Sequence, residues 1–227
     1  MSENRIVLSD IAFTPALSMA ADGKFYKGDE GDPALGRLLE RCKAVAKPKA
    51  MAVCLEVTHD AEGHVTAIGN EPMHSAVLDG QLKDLHRVFA YVATCGTEMA
   101  EVDYEGSDEV RRALLSFCLG GMHAAMDALT RELTARYQLG KTGVLNPGSL
   151  PEWPLSEQRA LFRLLGDVTG VIGVTLEANN FMSPLATSSG LLFETEHDYQ
   201  NCSYCTNLKC VIRRAPYEPE KAKALRG

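Results

Sequence analysis

The chain has 227 residues, 45% of them hydrophobic and 23% charged, with a formal net charge of −7. This is length for one large or two small domains with a self-sufficient core, and the mild acidity argues against unassisted binding to phosphate backbones, which rewards basic surfaces. The N-terminal "MSENRIVLSD" carries no signal pattern and no apolar run reaches the roughly 18 residues of a bilayer span. Neither a nucleic-acid nor a membrane partner is therefore expected, and the cytoplasm is the expected compartment.

In chain order, "ADGKFYKGDEGDP" (Ala21 to Pro33) is a Gly- and Asp-rich loop. "ALGRLLERCKAVA" has helical spacing and "AKPKA" separates it from a strand, "MAVCLEV" (Met51 to Val57). "THDAEG" then joins that strand to "HVTAIG", so the pair is expected to form a β-hairpin. Leu78, Leu82 and Leu85 fall at helical spacing before "RVFAYVATC" (Arg87 to Cys95), an apolar, β-rich run that reads as a buried strand ending at Gly96.

A long helix is expected from Ser107, a polar cap followed by acidic residues, to about Tyr137. Val110, Leu114, Phe117, Met122, Met126, Leu129 and Leu133 share its apolar face. Gly120 and Gly121 interrupt it at a cost of about 1 kcal/mol each, unless a neighbouring backbone packs close. After the loop "GKTGVLNPGSLPEWP" comes "LSEQRALFRLLGDV", a shorter helix with Ser156 as its expected cap, and then two strand-like pieces, "GVIGVTLE" and "SGLLFET". The mixed order of elements favours an α+β fold, helices on a largely antiparallel sheet, over a doubly wound one. Two regions are expected: a core over residues 1–195, and a cysteine-rich metal-binding segment with a charged tail over 196–227.

Three of the seven cysteines lie in "NCSYCTNLKC". In a reducing cytosol they read first as thiols or metal ligands. Cys202, Cys205 and Cys210 form C-x2-C-x4-C, which lets thiolates converge through a tight loop. Three readings stand side by side. A 4Fe-4S cluster held by three thiolates leaves one iron for another ligand. A structural zinc needs a fourth ligand, with His197, Cys54 and Cys95 as candidates. The third reading is three reduced thiols without metal. Arg213 and Arg214 follow the last cysteine, where they stabilise thiolates, dock an acidic partner or stand as solvated surface. Cys95, at the end of a buried strand, reads as core rather than ligand.

The most individual stretch is "LNPGSLPEWPLSEQRALFRLLG" (Leu145 to Gly166). Pro147, Pro151 and Pro154 stiffen the loop and Gly148 supplies a conformation other residues avoid. Main-chain groups of so rigid a loop can read a small polar ligand; the competing reading is a lid that packs Trp153 onto the core.

With "NPGSLPEWPLSEQ", "ALFRLL", "GVIGVTLEANNFMSP" and "SSGLLF" in that order, preceded by "VFAYVATCGTEM" and "MDALTRELTARY", the chain resembles the reactivation domain of cobalamin-dependent methionine synthase and its stand-alone relatives. The resemblance spans roughly Leu78 to Phe193. It implies an activation-domain-like fold with a twisted, largely antiparallel sheet and a long central helix. It also implies contact with S-adenosylmethionine, and with cobalamin on or near a partner, either a corrinoid-binding protein or a methionine synthase core.

Carried over by residue, Asn146, Pro147, Gly148 and Ser149 correspond to ligand contacts, Trp153 lies in the same loop, and Tyr199 corresponds to an aromatic near the ligand. The sequence departs from the pattern at Val144, where the family has an arginine, and at Ser149, where it has a tyrosine. Stand-alone relatives from anaerobes often end in a similar cysteine run followed by "RRAPY"-like residues.

The resemblance implies an accessory protein that reductively activates a corrinoid methyltransferase system, passing an electron from a Cys-ligated iron–sulfur cluster to Co(II). The alternatives are an S-adenosylmethionine-binding subunit of a split methionine synthase and a non-redox, zinc-stabilised docking module. No enzyme activity or catalytic residue follows from the spacing: no phosphate loop, H-E-x-x-H or nucleophile with an adjacent base appears.

Overall fold

The computed structural model describes residues 4–21, 26, 28–29, 31–104, 107–210 and 213–224. Part of the Gly- and Asp-rich loop (residues 22–25, 27 and 30) lies outside the described residues.

In chain order the elements are β1 (Arg5–Leu8), α1 (Leu17–Ala21), α2 (Pro33–Val45), β2 (Lys49–His59), β3 (Val65–Ile68), β4 (Glu71–Pro72), α3 (Ala76–Leu82), β5 (Arg87–Thr94), α4 (Thr97–Ala100) and α5 (Asp108–Tyr137). There follow β6 (Thr142–Leu145), a 3-10 turn (Leu155–Glu157), α6 (Gln158–Leu165), α7 (Val168–Ile172), β7 (Thr175–Leu176), β8 (Met182–Ser183), β9 (Thr187–Glu194), α8 (Asn201–Tyr204) and α9 (Pro219–Ala224).

Seven strands form one sheet in the order β4-β3-β2-β5-β9-β6, with β1 on β2, and β7-β8 is a separate ribbon. Each pairing is antiparallel. The expected α+β architecture with its long central helix is present, as is the hairpin of β2 and β3, Val57 opposite Ile68.

The two faces of β5 explain the layers. All of its residues but Arg87 are buried. Phe89, Tyr91 and Ala93 pack with Ala125, Leu129 and Leu133 of α5, whereas Val88, Ala90 and Val92 pack with α3, α6 and α7. A third cluster, around Cys42, Cys95 and Cys118, joins α2, α4 and the start of α5. Contrary to the expectation of no membrane-length apolar stretch, α5 is long and apolar enough by composition to cross a membrane, and half of its most apolar part is buried in the protein.

A Cβ at Gly121 would lie 2.7 Å from the Met99 side chain and 3.3 Å from Cys95, and one at Gly120 would lie 2.8 Å from Met19. The close neighbours of the glycine pair are thus mostly side chains rather than the expected backbone.

Three local expectations change. Ser156 caps nothing; it lies inside the 3-10 turn, and α6 starts at Gln158 without a side-chain cap. "GVIGVTLE" is mostly not strand, because Asp167 caps α7 by accepting from Gly170 N, Gly173 ends it at φ 78°, and only Thr175–Leu176 is extended. The segment expected as loop before Asn146 contains β6, an edge strand whose Val144 is opposite Leu192.

Candidate functional site

Asn146 leaves the end of β6 and lies across β9. That approach requires Gly190, because a Cβ there would collide with the Leu145 carbonyl and come 3.0 Å from Asn146 Nδ2. The carboxamide donates to Tyr91 Oη and to the Ser189 carbonyl, both at 2.8 Å. Tyr91 Oη shares a hydrogen with Ser188 Oγ at 3.1 Å, and buried Ser189 Oγ donates to buried Gln158 Oε1 at 2.8 Å. On the other side Asn201 Nδ2 donates to Asn146 Oδ1 at 3.3 Å, and Tyr199 Oη donates to Asn201 Oδ1 at 3.1 Å. One asparagine therefore links side chains of β5 and the C-terminal segment to the main chain of β9, and Gln158 of α6 joins through the Ser189 side chain. Satisfied polar networks of this kind fix a single arrangement, because a broken link leaves a buried group unpaired.

The electrostatics follow from burial. The Tyr91 phenol is pushed above its ordinary value by burial, with the bonds from Ser188 and Asn146 and the charge of nearby Arg214 pulling the other way. Tyr199 is also pushed up, first by burial and then by Tyr204. Its ring stacks on Tyr204 at 5.0 Å and meets Phe193 edge-on at 5.4 Å.

The loop itself is tightly self-bonded. Gly148, at φ 80°, donates its N–H to the Trp153 carbonyl at 2.8 Å, and Ser149 N–H donates to the Asn146 carbonyl at 3.1 Å. These two amides are occupied, while the Pro147 and Gly148 carbonyls accept no hydrogen bond among the described residues. Trp153 is 2% exposed and belongs to the main core, with its Nε1 lacking a partner among the described residues. Ser75 Oγ donates to the Glu152 carbonyl at 2.7 Å and ties the loop to α3.

The cysteine segment meets this site directly, since Cys202 follows Asn201 in α8. The Arg213 guanidinium gathers its backbone, donating through Nη1 to the carbonyls of Cys202 (2.5 Å) and Ala215 (3.1 Å), and through Nη2 to those of Cys205 (2.7 Å) and Asn207 (2.8 Å). All three cysteines are free and half-buried, and Cys205 packs against the main core. Among the described residues no three His, Cys, Asp or Glu side chains come together as a metal-binding group. Cys95 and Cys54 sit in two other core clusters.

Of the residues singled out from sequence, Asn146, Gly148, Ser149 and Trp153 form one self-bonded turn, and Tyr199 reaches Asn146 through Asn201. Sequence reasoning missed Tyr91, Gln158, Ser188, Ser189 and Asn201. The available signal was polarity out of place: Ser188 and Ser189 in a strand that continues "GLLF", and Gln158 on the buried side of α6.

No protein-family model matches this chain, and no curated protein matches it. Among solved structures the fold is recognisable as that of a methionine synthase reactivation module. One neighbour is the crystal structure of the MetH reactivation domain bound to AdoHcy, with a TM-score of 0.55 at 14% identity over 73% of this chain. The alignment spans 65% of that domain's length. At this identity the likeness establishes the fold.

Proposed function

We propose that this chain is a cytoplasmic accessory module for the reductive reactivation of a corrinoid methyltransferase system. The Asn146 network forms the floor of a site for a ligand of the S-adenosylmethionine type, and the cysteine segment lies at its rim. The observation that carries this reading is the Asn201–Asn146 hydrogen bond, which joins the ligand loop to the segment bearing Cys202. The neighbouring domain's bound AdoHcy supports the ligand class.

In this role the chain's own groups hold and orient. Asn146 and Tyr91 keep the loop at a fixed height over β9. The carbonyls of Pro147 and Gly148, which accept no hydrogen bond among the described residues, accept from an amino group of the ligand. Arg214, whose charge acts on the Tyr91 phenol, supplies a cation beside the network even though Val144 occupies the position of the family's arginine. The partner in this reading is a corrinoid-binding protein or a methionine synthase core.

Cys202, Cys205 and Cys210 have the donor chemistry for a 4Fe-4S cluster, or for zinc, and Arg213 holds their loop. Their sulfurs are not gathered in the structure, so the donor chemistry fits and binding of a cluster or of zinc requires the three side chains to close on it. A cluster bound there would supply a low-potential one-electron centre.

Two measurements test the reading separately. Anaerobic purification with iron and sulfide analysis and electron paramagnetic resonance is expected to give an iron–sulfur signal that is lost in Cys202→Ala. A colourless protein containing zinc or no metal overturns the redox half. Calorimetric titration with AdoHcy is expected to give binding that Asn146→Ala weakens at least about tenfold; equal affinity of the two proteins overturns the ligand half.

A further inference from the structure

A second concave site lies apart from the Asn146 network. A cleft of about 440 Å³ opens between α4, the first turns of α5 and the turn that precedes β9. Its volume falls in the range of small-molecule sites, about 300–1,000 Å³. Leu115 and Cys118 line its α5 side, and Leu185, 71% exposed, stands on the opposite turn. The neighbouring Cys95 and burial push the Cys118 thiol up, so this part of the lining stays neutral.

The polar lining is of mixed sign: Arg111, Arg112 and Glu101. Arg112 is committed to Glu109 in an ion pair. Arg111 and Glu101 make no ion pair among the described residues, with each other or with any other group. An apolar pocket with one available cation and one available carboxylate on its walls is complementary to a ligand that carries both charges on an apolar body. An anion alone would leave Glu101 opposing it, and a cation alone would leave Arg111.

We propose that this cleft binds a small zwitterion of the α-amino acid class with an apolar side chain. Its carboxylate lies at Arg111, its ammonium group at Glu101, and its side chain against Leu115 and Cys118. None of these residues belongs to the Asn146 network, so the inference stands independently of the reactivation reading.

Titration of the full chain with norleucine, hexanoate and hexylamine tests it. Norleucine is expected to bind, and the two singly charged probes to bind at least about tenfold more weakly. Arg111→Ala and Glu101→Gln, both at exposed positions, are each expected to weaken norleucine by about tenfold while leaving the AdoHcy titration unchanged. Leu115→Trp is expected to abolish norleucine binding by filling the cleft, with an unaltered circular dichroism spectrum as the folding control. Absence of norleucine binding, equal affinity for the three probes, or indifference to Arg111→Ala overturns the proposal, whatever AdoHcy does.

Discussion

Arg213→Ala is the sharpest perturbation of the cysteine segment, because one side chain holds four carbonyls of a loop with little other regular structure. A hydrogen bond to a charged group contributes roughly 1.5–3 kcal/mol when isolated. Four such bonds on one half-exposed guanidinium are not additive, and solvent recovers part of the loss, so about 2–3 kcal/mol for opening of the loop as a unit is the reasonable figure. At 1.4 kcal/mol per factor of ten, this raises the open population roughly 30- to 150-fold. Lys209 lies exposed within the loop, and cleavage after it requires the chain to leave its turn. When closing is fast relative to cleavage, proteolysis tracks that open population.

Limited digestion with a lysine-specific protease, with the Lys209 cut followed by mass spectrometry, should therefore accelerate by that factor while the thermal midpoint of the core moves little. Arg213→Lys keeps the charge but loses the planar fork, and should fall in between. An acceleration below about threefold for the alanine variant would refute the assignment of Arg213 as the loop's fastener.

Gly190→Ala should destabilise by about 3 kcal/mol or more in urea unfolding, since its methyl group meets the Leu145 backbone, which cannot rotate away. Trp153→Phe should cost less than about 1.5 kcal/mol, because the indole N–H it removes has no partner among the described residues, whereas Trp153→Ala should cost about 3–5 kcal/mol. Cys42 is pushed from 9.0 to about 12, chiefly by burial and then by Cys95, so the folded chain keeps a proton that the unfolded chain releases above pH 9. Its contribution to stability is complete below pH 9 and is lost as pH rises towards 12, and alkaline unfolding curves of Cys42→Ala should lack that component.

The sheet's central strands and the long helix were legible because burial imposes its own pattern. "VFAYVA" is buried on both faces and therefore apolar throughout, and α5 shows leucines at helical intervals after Ser107. β6 was not legible, since four residues at an edge carry too little pattern and take their register from β9. α7 was misread because Val and Ile favour extended structure locally, yet the Asp167 cap and Gly173 close a turn of helix around them. The candidate site was legible only at its turn. Pro147 and Gly148 announce a special backbone, but the contacts of Tyr91, Ser189 and Asn201 with Asn146 span 43 to 55 positions and leave no local trace.

The link between Asn201 and Asn146 also sets an order of assembly during synthesis. When the ribosome has delivered the chain to Glu194, every strand is available, yet the aromatic stack on Phe193 and the last partner of Asn146 are still inside the exit tunnel. The network is therefore closed only once residues 199–204 have emerged, and a product ending at Glu194 would lack the side chains that join the cysteine segment to the Asn146 turn.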